Sequence, residues 1–344
     1  MRRSSISIRQ VAERAGVSPA TVSRVLSGRA SEQIAVETRK RVEAVVAEMG
    51  YYPNAMARGL ARNRTNAIGL VFLHQHSPLH TSESFTMFLD GVLSEATYRQ
   101  RDTLICTSYS WSDGRNNMAA LLDRRCDGLI LVVPRTDNPV TDMLKEYEIP
   151  FVILGGRSDD PSVSFVDTDC IGESRRLVNY LFQLGHKRIA LAQGHDYPYL
   201  TYATDRLEGY RQAHRDQNMR LNSELIFDLV DPDHNLGTLM QLPPSLRPTA
   251  IFGACDANAL HAMDQLRRAK IRVPEDISVV GYDDILSAAK ATPALTTIKQ
   301  PLKTMGEQAV KALLDLIDCK VETPQRMFLP TELVVRESAT PPNS

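Results

Sequence analysis

The sequence predicts two kinds of fold in one chain: a small all-α module at the N-terminus and a large α/β body of two doubly wound parallel units. Three observations predict it. Short apolar helical faces and cap residues crowd the first fifty positions. From residue 67 onward, short apolar runs alternate with helical stretches. The charge is also unevenly shared. The 344 residues hold 40 Lys/Arg and 41 Asp/Glu, a net −1, but residues 1–66 hold twelve against five (+7), leaving 28 against 36 (−8) for the rest. A basic arm on an acidic body points to a polyanionic partner for the arm, or else to a merely solvated helical module.

The first helix opens at Ser7, with Gln10 three residues later as the return half of a capping box. Ile8, Val11, Ala12 and Ala15 follow helical spacing, and Gly16 stands where a left-handed C-cap residue is needed. Ser18 then caps a second helix with Pro19 at its first position, where the missing N–H costs nothing. Val22, Val25 and Leu26 form one face; Ala20, Thr21, Ser23 and Arg24 form the other, and Gly28 ends the helix. A third helix is predicted over about 36–49, with Val42, Val45, Val46 and Met49 inward and Gly50 as its stop.

Two short helices on a tight turn, completed by a third, form the helix-turn-helix pattern. A helix with short outer side chains fits deep in a DNA major groove. Its hydroxyls and N–H groups can hold phosphate, while an arginine reaches a base edge. The same spacing also suits a plain three-helix bundle whose Ser and Thr only cap. Beyond it, Pro53 starts a short segment, "NAMARGLAR", that is marginal as a free helix and carries Gly59. It reads as a linker or as a piece that orders on a partner.

In the body, the runs "AIGLVF", "TLICTS", "GLILVV", "FVIL", "RIALAQ", "TAIFG" and "ISVVG" read as buried strands. Helices are expected over about 85–100, 115–124, 139–147, 170–184, 204–217, 256–269 and 302–318, with a break near 160–168 separating two similar series. Such units bind ligands at the carboxyl ends of their strands, so two facing units share a cleft.

Several functions are disfavoured. No phosphate-loop or nucleophile-elbow motif occurs, so no catalytic residue and no cofactor is expected. His74, His76 and His80 lack regular ligand spacing, which favours an ordinary loop over a metal site. Five scattered cysteines without a C-x-x-C pair, no signal peptide and no membrane-spanning run point to free thiols in the cytoplasm.

"SIRQVAERAGVSPATVSRVLSG" and "TRKRVEAVVAEMGYYPNAMARGLA" resemble the DNA-binding headpiece and hinge of the LacI/GalR repressor family, almost without gaps over residues 6–61. "LGHKRIALAQG", "RLEGYRQA", "VPEDISVVGYDD" and "PALTTIKQP" resemble its effector-binding core, so the likeness covers nearly the whole chain. That core is similar to periplasmic sugar-binding proteins.

The resemblance implies a ligand-responsive transcriptional regulator, most often a repressor. It implies a headpiece over 1–50, a hinge over 51–65, and a core over 66–338. The core's first subdomain would span 66–165 and 299–327 and its second 166–298 and 328–338, with a disordered tail at 339–344. Pro19, Ala20 and Arg24 match base-facing positions; Ser7, Ser18, Thr21, Ser23, Tyr51 and Asn54 match phosphate contacts. Leu60, with Ala57, matches the hinge wedge in the minor groove, where opening a base step is offset by wider contact on bent DNA.

In the cleft, Phe85 matches a ring-stacking position, and Arg206 and Asp283 match contacts to ligand polar groups. A structural ion pair is the other reading for those two. Arg157 is a weaker candidate at a strand end. Three departures stand out. Ala35 replaces a capping Ser. Cys255 and Asp256 match effector-contact positions, but Cys255 stands where an Asn is usual. Pro232 sits where some members have an aromatic, for which Tyr197, Tyr199 or Tyr202 could substitute unless they only pack the loop.

The expected partners are near-palindromic operator DNA, a small carbohydrate-like effector and a second copy of the chain. The sign of the effector's action is left open. "RESATPPNS" carries no leucine heptad, which predicts a dimer and not a tetramer.

Overall fold

The computed structural model describes residues 6–26, 34–52, 64–72, 83–106, 119–136, 139–194, 199–229, 231, 235–321 and 323–343. The chain divides into two compact units, Met1–Thr65 and Asn66–Ser344.

The first unit holds α1 (Ile8–Ala15), α2 (Pro19–Leu26) and α3 (Val36–Met49). The local chemistry of the sequence sets their ends. The Ser7 N–H donates to Gln10 Oε1 at 2.8 Å and the Ser7 hydroxyl accepts from the Gln10 N–H, closing the capping box. Gly16 and Gly50 adopt the left-handed conformation (φ 64° and 63°) that a β-carbon disfavours. Val11, Ala12, Ala15, Val22, Val42, Val45 and Tyr51 form the small core.

The second unit holds two six-stranded sheets, and the register explains the continuous apolar runs. In the first, β1 (Ala67–Phe72), β2 (Asp102–Ile105), β3 (Leu129–Val132), β4 (Phe151–Leu154), β5 (Ser164–Thr168) and β11 (Arg326–Leu329) lie in the order β11-β5-β4-β3-β1-β2. All their pairings are parallel. Successive residues go to opposite faces. Ile68, Leu70, Ile130, Val132, Val152 and Leu154 pack under α4 (Glu83–Tyr98) and α12 (Leu302–Ile317). Val71, Leu129, Leu131, Phe151 and Ile153 pack with α5 (Ala119–Leu122) and α6 (Val140–Glu146). Each fully buried aliphatic side chain is worth roughly 1.5–3 kcal/mol, so both faces contribute.

The second sheet runs β12-β10-β9-β8-β6-β7. Its strands are β6 (Ile189–Gln193), β7 (Ile226–Asp228), β8 (Ala250–Gly253), β9 (Ser278–Asp283), β10 (Thr296–Lys299) and β12 (Glu332–Val334). One face packs under α7 (Cys170–Gln183) and α8 (Thr201–Asp216), the other under α9 (Leu236–Met240), α10 (Asp256–Arg268) and α11 (Leu286–Lys290). β12 is antiparallel to β10, so this sheet departs from the all-parallel expectation at one edge.

The chain passes from one sheet to the other after β5, after β10 and after β11. The expected subdomain limits at 165/166, 298/299 and 327/328 fall inside these strands and move one to three residues later. The segment read as a break near 160–168 contains β5, buried along its length. The tail also differs from expectation, since residues 339–343 pack on the second lobe. Ala339 is buried; the Thr340 N–H donates to Ser278 Oγ at 3.0 Å, and the Thr340 carbonyl accepts from the ring of His186 at 2.9 Å. His186 and Ser278 are buried polar groups, and the tail supplies their partners. Among the described residues no helix is long and apolar enough to cross a membrane.

Candidate functional sites: a helix-turn-helix surface and an interlobe cleft

On the first unit, α2 turns Ser18, Pro19, Ala20, Ser23 and Arg24 outward, while Val22 is buried. The Thr21 N–H donates to Ser18 Oγ at 3.1 Å and the two hydroxyls lie 2.9 Å apart, so Ser18 caps the helix and Thr21 is half-buried beside it. Ser7 is exposed at the start of α1. Two nearby arginines have structural tasks: Arg14 pairs with Glu48 at 2.7 Å and Arg41 donates to the Ala15 carbonyl at 2.9 Å. Tyr51, expected at a phosphate, is a core residue only 8% exposed, because its ring fills the gap where α3 ends. Asn54, Ala57 and Leu60 lie outside the described residues, as do His74, His76, His80, Tyr197 and Pro232.

On the second unit, the lobes meet where strands of both sheets end. The start of α8, from the second lobe, is clasped by two loops of the first. Arg135 and Leu200 form a β-bridge, and the Thr136 N–H donates to the Tyr199 carbonyl at 2.8 Å. The Arg135 guanidinium lies 4.0 Å from the Tyr199 ring centroid. Behind them a β-carbon on Gly156 would fall 2.7 Å from Thr201 Oγ1, so this approach needs a glycine. Arg157 then holds Asp205 with Nε and Nη2, each at 2.8 Å. Glu83, opening α4, accepts from the N–H of Ser287 at 3.0 Å and from its hydroxyl.

Arg206, next to Asp205, belongs to the second lobe's own network. Its guanidinium stacks 3.8 Å from the Tyr282 ring centroid and 4.7 Å from that of Tyr202. It donates to the Ala254 carbonyl and to Asp283 Oδ1 at 3.1 Å. Asp283 also accepts from Gln300 Nε2 at 2.7 Å, and Gln300 Oε1 accepts from Thr168 Oγ1 at 2.8 Å. Two of the three lobe crossings are thereby tied to the same carboxylate. Burial pushes the Asp283 carboxyl upward, opposed by the Arg206 charge and the Gln300 amide. Asp283 and Asp284 have φ of 131° and 59°, in the region unfavourable to side chains. Arg336 holds Asp284 at 2.6 Å.

Phe85 is half-buried at the start of α4, against the first lobe's core. Cys255 is the N-cap of α10 without a capping side-chain bond, and burial pushes its thiol up to about 12. Asp256 is wholly buried and engaged in its own lobe. Its oxygens accept from Thr297 Oγ1 at 2.6 Å and the Ile285 N–H at 2.9 Å, so each carboxylate oxygen has a partner within the lobe.

Sequence reasoning missed Asp205, Thr168, Gln300 and Asp167. Asp167, on β5, accepts from the Thr168 N–H with Oδ1, and its Oδ2 has no partner among the described residues. Burial raises its pKa to about 7. Only Gln300 carried a signal, within "TIKQP".

Residues 7–54 match the family described as bacterial regulatory proteins, lacI family, and residues 178–339 match the periplasmic binding protein-like domain. The chain is 33% identical over 342 residues to the HTH-type transcriptional regulator CelR of Thermobifida fusca, covering 98% of this chain and 99% of that protein. It is 32% identical to the HTH-type transcriptional repressor PurR of Aliivibrio fischeri strain MJ11, covering 96% and 97%. It is likewise 32% identical to the ribose operon repressor of Escherichia coli K12, covering 96% and 99%. Among solved structures, a CelR–cellobiose complex aligns with TM-score 0.71 at 32% identity, covering 97% of this chain and 99% of that one. The lac repressor dimer bound to operator and the anti-inducer ONPF aligns with TM-score 0.79 at 27% identity, with the same coverage. The chain belongs to the lacI family of bacterial regulatory proteins, as a DNA-binding regulator of transcription whose body takes a small-molecule effector.

Proposed function

We propose that this chain is a cytoplasmic homodimeric repressor that reads a near-palindromic operator through α2 and binds a carbohydrate between its lobes, without catalysing a reaction. One observation carries the cleft reading: consecutive residues of α8 serve opposite lobes, Asp205 held by Arg157 of the first and Arg206 by Asp283 of the second. A ligand that inserts hydroxyls among these groups changes how firmly the lobes are held together. By linkage it then shifts the operator-binding equilibrium by its differential affinity for the two arrangements. Charged groups in fork geometry suit hydroxyl pairs, and Phe85 and Tyr202 offer aromatic faces.

On the DNA side, Pro19, Ala20 and Arg24 face the bases, with Ser7, Ser18, Thr21 and Ser23 at phosphates. Only Arg24 among the three has a hydrogen-bonding side chain, so sequence-dependent DNA deformation supplies much of the selectivity.

The test is a thermal-shift screen of sugars on the full chain, beginning with cellobiose, the ligand named in the CelR structure, and ribose. Each hit is followed by gel shift on the chain's own promoter region. A ligand at 100 times its Kd raises stability by about 2.7 kcal/mol. The expected result is a sugar that raises the melting temperature and changes operator affinity. A hit confined to non-carbohydrates would overturn the ligand class, and operator binding that survives deletion of residues 1–65 would overturn the headpiece assignment.

A further inference from the structure

Gln193 Nε2 and Arg206 Nε are buried nitrogens with no hydrogen-bond partner among the described residues. Gln193 is 5% exposed and Arg206 3%. The register of the second sheet brings the two side chains together. Ala192 of β6 pairs with Gly253 of β8, and Phe252 of β8 pairs with Val280 of β9. Continued to the carboxyl ends of these strands, the same register sets Gln193 beside Ala254 and Ala254 beside Tyr282. Neighbouring strands lie about 4.8 Å apart.

The row faces one way. Leu191, Phe252, Ala254, Val280 and Tyr282 all pack on the side covered by α7 and α8. Gln193, two residues past Leu191, goes to that side too. Arg206 descends from α8 onto the same row. It donates to the Ala254 carbonyl and stacks 3.8 Å from the Tyr282 ring centroid. The Gln193 amide therefore stands next to the Arg206 guanidinium, at the strand ends where doubly wound sheets bind ligands. A buried N–H without an acceptor is costly, so the two donors call for a guest that brings oxygens.

Charge narrows the guest. The guanidiniums at this junction are already matched: Arg157 with Asp205, Arg206 with Asp283 and Arg336 with Asp284. Asp256, two residues after Ala254, is buried with a hydroxyl and a backbone N–H as its partners, and neither carries a charge. An anionic guest would add to an existing excess of carboxylates. A hydroxyl that accepts from Gln193 or Arg206 still has its own proton to give. The Asp283 carboxylate, bonded to the same guanidinium, can receive it. A phosphate dianion or a carboxylate has no such proton.

Resting on the carbohydrate reading of the cleft, we propose that Gln193 is a specificity-determining residue. Its amide and Arg206 Nε donate to two oxygens of an uncharged polyhydroxyl ligand, and phosphorylated or carboxylated sugars are rejected.

The experiment measures melting temperature and dissociation constant on the full chain with paired probes. Glucose, ribose and cellobiose are set against glucose 6-phosphate, ribose 5-phosphate and cellobionate. A neutral sugar should bind, and its anionic counterpart should bind at least about a hundredfold more weakly. Gln193→Met keeps the length of the side chain and removes its donor. It should raise the Kd of the neutral sugar by about tenfold or more, with the urea midpoint of the ligand-free protein near that of wild type. Deoxy analogues of the bound sugar then locate the contact: the hydroxyl whose removal weakens binding to wild type should matter little to Gln193→Met. Should that variant fail to fold, Gln193→Glu, equal in size and unable to donate as a carboxylate, should show the same loss. An anionic sugar that binds as tightly as its neutral counterpart would overturn this inference and leave the carbohydrate reading intact. Binding of neither class would overturn both. An unchanged Kd in Gln193→Met, or undiminished sensitivity to every hydroxyl, would show that the amide serves the fold and not the ligand.

Discussion

Arg157 and Asp205 meet as a two-pronged pair between the lobes, guanidinium Nε and Nη2 each 2.8 Å from a different carboxylate oxygen. The Asp205 side chain is 10% exposed and that of Arg157 33%, so the carboxylate depends on its partner more than the reverse. Arg157→Ala should cost about 1.5–3 kcal/mol, towards the lower end because solvent screens the arginine. Arg157→Lys should recover only part, since an ammonium cannot form both bonds. Urea unfolding of the single variants, Asp205→Asn and the double variant measures the coupling. Strictly additive losses would show that the pair does not hold the lobes.

How much of this could be read from the sequence depends on the range of the chemistry involved. The headpiece helix ends were legible because Ser7 with Gln10, Gly16, and Ser18 with Pro19 act within a turn of themselves. β1 and β4 coincide with their apolar runs because both faces of the sheet are covered. β5 was not legible. Asp159, Asp160 and Pro161 precede it, and its polar members Ser164 and Thr168 are buried against Gln325 and Gln300, 161 and 132 residues away. The same holds in the cleft. Arg206 and Asp283 matched a family pattern, but nothing near Asp205 announces an arginine 48 residues earlier on the other lobe. The engagement of Asp256 with Thr297 is likewise a product of the fold alone.

α4 and α12 cross at a pair of glycines. A β-carbon on Gly91 would stand 2.0 Å from the Lys303 carbonyl oxygen, and one on Gly306 would stand 2.4 Å from that of Phe88. Both obstacles are backbone, so no rotamer change relieves them. In an exposed helix, Gly→Ala gains roughly 0.5–1 kcal/mol. Here Gly91→Ala and Gly306→Ala should each destabilise by about 1–3 kcal/mol or more as the helices are forced apart. A lower denaturant midpoint at unchanged m-value is the expected reading, and a stabilised variant would refute the close crossing.

α3 begins without a side-chain cap. Ala35 stands at the N-cap with φ −53° and ψ 136°, and no side chain there accepts from the first turn. A serine hydroxyl at this exposed position can do so. Ala35→Ser should therefore stabilise the headpiece by about 1 kcal/mol. Hydrogen exchange at the first turn of α3 in the full chain tests this, with slower exchange expected and unchanged rates counting against it.

Asp167 links stability to pH through a single oxygen. Burial raises its pKa to about 7, while Oδ2 has no partner among the described residues. In the unfolded chain an aspartate titrates near ~3.9. Below that value both states are protonated and the carboxyl costs nothing. As pH rises from about 4 to about 7 the unfolded state ionises first, so the folded state loses stability, by at most about 1.4 kcal/mol per pH unit. Above about 7 the loss is complete. Asp167→Asn cannot ionise, and its Oδ1 can still accept from the Thr168 N–H. Relative to wild type, the variant should therefore gain stability steadily between pH 5 and pH 7 and level off by pH 8. Asp256, also raised to about 7 by burial and by the Asp283 charge, is present in both proteins and cancels in the difference. Urea titrations of the two proteins at pH 5, 6, 7 and 8 decide the matter, and parallel stability curves would mean that Asp167 keeps its ordinary acidity in the fold.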